Sequence, residues 1–563
     1  MPDKNFLPMI CKGLTKSTIF WLILSLVFSI YYSCLGLQKA FSSQYVIQDD
    51  ARAYVIWMQR FIDANLLPND LIADYFQSIT PTGYALLYKS LAILGINPLF
   101  TSKILPLFLG LITTIYCFLF CRQILTKPST AFMATLLLNQ SLWFKTDLVS
   151  ATPRSFIYPL MLAFFYYLNR QSWFAVTLII ILESLFYPLA VFISAGILCL
   201  KLWRKYILLL SILCIGFLAM LPYIISSSEY APVVTASQAW NMPEHWVEGR
   251  HPFFNQNPWV FWLIGQHSGI LPPLMPPLIW FFLLFPWMRQ KSSKWRFIQS
   301  INRENINLFW QIAIVSLSLY FAAHIIFLKL FFPTRYILHT ARILFSVLSA
   351  IVLTNIFDKA INISKNNRKF GFINQRIGLR ILASILLIIL LFYPNFLKTY
   401  PKTDYRVGRQ ANLYEFIQKQ PKETLIATLA EEGDNLPIFA QRSVLIAKEY
   451  ALPFHLDYYS KIRQRSLDLI QAQYTDNVAI IQQFIKKYDV DFWLLEKGTF
   501  EVEYLISKTW LKSFQPQFNQ ALTNLRQTKE LPLSQLMQSC HVYQDNHWTL
   551  VSGKCLIQQT DSK

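Results

Sequence analysis

Charge is scarce in this chain. Lys, Arg, Asp and Glu make up 15% of its 563 residues, against 54% hydrophobic and 16% aromatic. That balance excludes an ordinary soluble enzyme and points to a polytopic membrane protein. Acids are rarer than bases, 31 against 51, which gives a formal net charge of +20. A nucleic-acid partner would call for that excess on one face. Instead roughly nine-tenths of it precedes residue 398, in short groups between apolar runs, the pattern of cytoplasmic loops. Glycine is also thin, at 16 residues, and no P-loop, dinucleotide turn or serine elbow occurs. There is no internal repeat and no low-complexity tract. Six of the eight cysteines (Cys11, Cys34, Cys117, Cys121, Cys199 and Cys214) lie in or beside apolar runs with no metal-ligand spacing. Cys117 and Cys121, one helical turn apart, read as small core residues.

The first apolar run, 17–37, follows Lys4, Lys12 and Lys16 and carries no small-residue cleavage site. It reads as an uncleaved anchor that starts inside. Further spans are expected near 102–121, 130–145, 154–169, 172–187, 188–203, 206–226, 271–288, 307–331, 337–357 and 379–397. The basic groups then fall on one side: Arg122 and Lys127; Arg170; Lys201, Arg204 and Lys205; Arg289, Lys291, Lys294 and Arg296; Lys359, Lys365, Arg368, Lys369 and Arg376. The expected fold is a polytopic α-helical membrane protein of about eleven transmembrane helices, N-terminus cytoplasmic and C-terminus extracytoplasmic. A break at Phe186-Tyr187-Pro188 is assumed, and losing that span would turn the tail inward.

Two loops are expected outside. Residues 38–100 hold Asp49, Asp50, Asp63, Asp70 and Asp74, with Val55, Met58, Phe61 and Ile62 at helical spacing beside Trp57, as in an interfacial helix. Residues 81–95 are short for a span and read as a re-entrant or surface helix. The second loop, 227–270, is rich in Trp, His and Pro. Composition changes at 398–409, a linker that divides a membrane domain, 1–397, from a soluble extracytoplasmic domain, 398–563. There 424–429, 443–447 and 490–495 read as strands, and 435–440, 458–474 and 478–488 as helices, an α/β pattern. A hairpin turn at Asp545-Asn546 lies between Cys540 and Cys555, which can form a disulfide if the tail is outside.

The best chemical candidate is the acid pair Asp49-Asp50, just past the first span. Acids also favour helix N-termini, so plain capping of the helix that follows is the competing reading. A carboxylate here can act as general base on an acceptor hydroxyl or amine. It can equally hold a divalent cation, Mg²⁺ or Mn²⁺, and two carboxylates leave both roles open. Arg52 stands ready to pair with one of them. A second candidate is Phe332-Pro333-Thr334-Arg335-Tyr336, with Lys329 before it and His339 and Arg342 after. Arg335, His339 and Arg342 share one helical face. Arg335 suits a lipid phosphate, whose charge it can grip and stabilise on departure. The alternative is a snorkelling Arg beside a packing His. His245, His251 and His267 are too irregularly spaced for a zinc site and read, with Glu244 and Glu248, as surface groups. Glu431, Glu432 and Asp434 read as a solvated acidic turn.

Asp49-Asp50-Ala51-Arg52, Pro81-Thr82-Gly83-Tyr84 and Ala92-Ile93-Leu94-Gly95 together resemble the C-type glycosyltransferase superfamily, which includes protein O-mannosyltransferases and lipid A aminoarabinose transferases. The likeness covers the first 125 residues in motif and the first 400 in topology. It implies a catalytic carboxylate in the first external loop, a polyprenyl-phosphate sugar as donor, and an appended external domain. By position, Asp49 takes the base role and Asp50 is the adjoining acid, with Arg52, Tyr84, Arg335, His339 and Arg342 on the substrate side. Asp50 stands where Glu is common. Thr80 stands where aminoarabinose transferases carry Lys, so that sugar is not implied. The acceptor, whether glycan, lipid or protein, stays open, and the setting implied is a bacterial inner membrane. The rival classes are a transporter or flippase of a lipid-linked glycan and a non-catalytic envelope assembly protein. The missing repeat counts against the first.

Overall fold

The computed structural model describes residues 15–271, 274–291, 295–366, 373–528 and 530–561. Cys11, Lys4, Lys12, Lys294, Arg368 and Lys369 lie outside them. The membrane part is built from α1 (Lys16–Ala40), α5 (Pro98–Ile124), α6 (Pro128–Trp143), α7 (Ile157–Asn169), α8 (Trp173–Phe186), α9 (Pro188–Leu202), α10 (Tyr206–Ser227), α11 (Arg303–Ile325), α12 (Thr334–Asn366) and α13 (Ile373–Phe392). Between α1 and α5 the chain forms β1 (Val46–Gln48), α2 (Arg52–Met58), α3 (Leu71–Ser78) and α4 (Thr82–Ile93). Among the described residues, five helices are long and apolar enough to cross a membrane: Lys16–Ala40, Pro98–Ile124, Tyr206–Tyr230, Arg303–Ile325 and Thr334–Ile361. The expected eleven are not reached by that measure, because several apolar stretches are cut short.

Proline does much of the cutting. The stretch 271–288, expected as one span, is a 3₁₀ helix, Pro277–Leu284, leading into a short α-helix, Phe285–Gln290. Pro276, Pro277 and Pro286 supply no N–H to a continuous ladder. The break at Tyr187 is present: that residue is extended (φ −151°, ψ 83°) and Pro188 opens α9. The span expected at 307–331 ends at Ile325, and the chain turns through Leu328 and Phe331, both at positive φ.

Helices approach closely where side chains are small. A Cβ on Gly36 of α1 would sit 2.5 Å from the Trp143 ring at the end of α6, so only glycine admits that indole. Polar side chains tie the same helices together: Thr135 to Ser25 at 2.9 Å, Asn139 to Thr114 at 2.8 Å, and Gln140 to the Leu390 carbonyl at 2.7 Å. In hydrocarbon such pairs hold helices that apolar packing alone would not select.

The tail carries a five-stranded sheet in the order β4–β3–β5–β7–β6, made of β3 (Leu425–Ala427), β4 (Ser443–Val444), β5 (Phe492–Glu496), β6 (His541–Gln544) and β7 (Trp548–Ser552). β4, β3 and β5 run parallel, while β7 and β6 form an antiparallel hairpin. Helices α14 (Leu456–Gln473) and α15 (Val478–Tyr488) supply the crossover back to β5. Cys540 and Cys555 are joined as a disulfide across the ends of the hairpin, Cα atoms 5.5 Å apart.

The stretch expected as a linker is a strand. β2 (Tyr405–Val407) pairs antiparallel with β1, Gln48 opposite Tyr405 and Val46 opposite Val407. The tail therefore folds back onto the segment between α1 and α5. Helix α2 is buried rather than interfacial: Val55, Ile56 and Met58 are wholly enclosed, and Trp57 with them. Its cover comes from α3, α4 and α5 and, from the tail, the short helix Leu436–Phe439, rather than from a membrane surface. Tyr75 of α3 stacks on Tyr458 of α14 with ring centres 3.6 Å apart, and its hydroxyl meets His455 Nδ1 at 3.0 Å.

Candidate active site

The acid pair leaves β1 directly. Asp49 N–H donates to the Asp404 carbonyl at 3.1 Å, which extends the two-stranded ribbon by one step. Neither acid caps α2, whose N-terminal flank is Ala51 with no side-chain cap bond. The two carboxylates instead face different partners. Asp49 turns toward the tail, where Oδ1 accepts from Arg52 and Oδ2 from Arg406 Nη2 at 2.7 Å. Arg52 is buried; it donates to Asn435 Oδ1 at 2.9 Å and lies 3.6 Å from Glu449 and 3.9 Å from Asp434. Those last two acids come from the tail, and Asp434 is buried rather than solvated.

Asp50 turns toward the helix bundle, and its Oδ2 accepts from Arg154 Nη2 at 2.7 Å. The same guanidinium places Nε 3.1 Å from Asp147 Oδ1. Arg335 Nη1 lies 3.7 Å from that oxygen, and Arg342 pairs with Oδ2. The Tyr158 hydroxyl donates to Asp147 Oδ2 at 3.2 Å and sits 2.9 Å from His339 Nδ1. One buried carboxylate thus gathers three guanidiniums. Burial raises the Asp147 carboxyl, but Arg342, Arg154, His339 and Arg335 outweigh it and hold it well below the usual range. For Asp49 burial is again opposed, here by Arg406 and Arg52, and its carboxyl also ends below the ordinary value.

These groups line a cavity of about 920 Å³: Asp49, Asp50, Asp147, Arg154 and Arg335 all contribute, with Lys145 and Lys402 beside them. Arg52, Tyr84, His339 and Arg342 do not line it. Tyr84 is buried against the bundle, its hydroxyl donating to the Ala151 carbonyl at 2.8 Å. His339 and Arg342 stand behind Asp147, fully buried. The loop histidines are not surface groups. His245 is buried against the Pro453 carbonyl at 3.1 Å, and His251 and His267 face the cavity. Burial, then Arg335 and Arg154, brings His267 down to about 3; burial, then Arg250, keeps His251 well below its usual value. Both are neutral at physiological pH.

A divalent cation needs free carboxylate oxygens. Both oxygens of Asp49 and one of Asp50 are taken by guanidiniums. No three His, Cys, Asp or Glu side chains converge on a metal-sized site among the described residues. The residues present, as paired here, do not fit the Mg²⁺ or Mn²⁺ that the sequence left open as one role for the acid pair.

Asp147 and Arg154 were not among the residues expected at the site. The signal for them was an acid and an arginine in a short loop between two apolar runs, where charge is costly and marks function.

No family model matches this chain, and no curated protein matches it. Its fold is shared with solved structures of the oligosaccharyltransferase of Archaeoglobus fulgidus. One, tethered by a disulfide to an acceptor peptide containing the NVT sequon, aligns with TM-score 0.51 and 12% identity over 89% of this chain and 72% of that one. Another, in complex with zinc and sulfate, aligns with TM-score 0.52 and 11% identity over 89% and 70%. At such identity the likeness shows the fold alone: a polytopic membrane bundle followed by an α/β tail.

Proposed function

We propose that this chain is a membrane glycosyltransferase that moves a sugar from a polyprenyl-phosphate carrier to an extracytoplasmic acceptor, with inversion. The observation that carries this is the chain of contacts from Asp50 through Arg154 and Asp147 to Arg335 along one cavity wall. It brings a candidate base within one cavity of a candidate phosphate-binding cation. The shared fold of a protein solved with an acceptor peptide supports the same reading.

Asp50 takes the base role in this mechanism. Its side chain is 45% exposed and binds one guanidinium, whereas that of Asp49 is 22% exposed and binds two. An acceptor O–H or N–H placed against Asp50 would lose its proton to that carboxylate as the acceptor atom bonds to the anomeric carbon. The bond from that carbon to the phosphate oxygen breaks on the opposite face. Polyprenyl phosphate leaves with the electron pair, and Arg335 with Lys145 stabilises the added charge. Orientation supplies much of the remaining rate. Asp49 holds the loop, and the tail closes the cavity over the acceptor.

The test is mass analysis of the lipid-linked sugar pool and of the cell-surface glycans, lipids and proteins, with the chain present and absent. It is followed by transfer to the acceptor so found. Asp49→Asn with Asp50→Asn should abolish transfer. Full activity in that double variant would end the proposal, and lipid flipping in proteoliposomes without a covalent product would point to a flippase instead.

A further inference from the structure

The acids of this site come from two loops that meet only in the folded protein, and one guanidinium stands between them. Arg154 reaches Asp50 at 2.7 Å with Nη2 and Asp147 at 3.1 Å with Nε. A cation between two carboxylates offsets their mutual repulsion, and a divalent ion could do the same. Here the cation is covalently attached. We infer that Arg154 replaces a divalent metal in this chain, so that the protein takes up no Mg²⁺ or Mn²⁺ at its acids.

Three observations on the page bear on it. The oxygens that a hard cation would use are engaged: Arg342 holds Asp147 Oδ2, and Arg52 and Arg406 hold both oxygens of Asp49. The neighbourhood is already cationic, with Arg335 3.7 Å from Asp147 and Lys145 lining the same wall. A second positive ion there would meet three guanidiniums at short range, and repulsion of that kind is strong where water is excluded. Arg154 is also well held: it sits in the short helical turn Pro153–Phe156, one side against each acid, with its side chain 16% exposed. A guanidinium fits such a bridge because it is planar and always charged: Arg154 donates to Asp50 and holds Asp147 by charge alone.

Arg154 is then a positioning residue. It fixes Asp50 toward the acceptor while neutralising Asp147, and cannot be lost to a chelator. The inference deepens the glycosyltransferase reading, but its test does not depend on transfer. Purified protein in nanodiscs is titrated with Mn²⁺, and free ion is followed by electron paramagnetic resonance. Wild type should take up no stoichiometric Mn²⁺, and its melting temperature should not move with Mn²⁺ or EDTA. Arg154→Gln leaves two facing acids without their bridge. It should bind Mn²⁺ at least about tenfold more tightly than wild type and melt higher when Mn²⁺ is added. Arg154→Gln with Asp50→Asn should lose that gain. One Mn²⁺ bound per wild-type chain, and lost in Asp50→Asn, would overturn the inference. So would a folded Arg154→Gln protein with unchanged melting temperature, since no bridge would then have been removed. If Arg154→Gln does not fold, the wild-type titration alone decides. Failure of the transfer proposal with no Mn²⁺ bound would leave the cation replacement standing.

Discussion

Two adjacent residues, Asp49 and Asp50, belong to two different charge networks. The Asp49 network, with Arg52, Arg406, Asn435 and Glu449, joins the loop after α1 to the tail. The Asp50 network, with Arg154, Asp147, Arg335 and Arg342, lies against the helix bundle. Both pair buried guanidiniums with carboxylates, yet only the second leaves an acid substantially exposed to the cavity. The difference separates two tasks: one network docks a domain, and the other, under the function proposed above, presents a base and a phosphate-binding cation.

Four measurements press on that division. Asp50→Asn should lower the rate of transfer by about 10²–10⁴, the usual worth of a positioned base, with folding unaffected by thermal melting. If Asp49→Asn alone proved the more damaging to rate, the two roles would be exchanged. Arg335→Gln should cost about 10²–10³ in rate, as for loss of one charge-stabilising donor, and weaken donor binding. Asp147→Asn leaves Arg342 buried without its acid and should cost about 3–5 kcal/mol of stability, measured by denaturation in detergent. Arg52→Gln should act through the tail instead. It should make 398–409 accessible to protease while changing the chemical step at saturating substrate less than about tenfold.

The smallest effect expected is on pH. Asp49 and Asp147 are both held below their usual range in the folded protein. Each therefore adds stability that is present above about pH 4 and is withdrawn as pH falls through the lowered folded value. The contribution of these two carboxylates to melting temperature should be level down to about pH 5 and fall away below about pH 4. Asp147→Asn should flatten the acid side of the profile.

Much of this was readable from residue order, for identifiable reasons. Apolar runs bounded by basic groups located α1, α5, α10, α11 and α12, because length and hydropathy are local properties. Helix α15 begins and ends where its amphipathic period does, at Val478 and Tyr488. The tail strands were visible as short apolar blocks. What local pattern could not convey was partnership across the chain. The stretch around Tyr405 reads as a linker because its ladder partner is Val46–Gln48, hundreds of positions earlier. Helix α2 reads as interfacial because the cover supplied by α3, α5 and the tail leaves no mark on its own sequence. Asp147 was hidden differently: its loop falls between two spans, and its weight comes from arginines on other elements.

The pairing of β1 with β2 has a consequence for biosynthesis. Arg406 and Asp49, which it brings together, are 357 positions apart. A ribosome would have inserted most of the bundle before the second strand emerged. Until then Asp49 would have Arg52 beside it but lack Arg406, and the loop would have no tail over it. The cavity can therefore be completed only late in translation, once the tail has emerged and folded back. A chain stalled before that point would hold its helices in the bilayer with the cavity still unroofed.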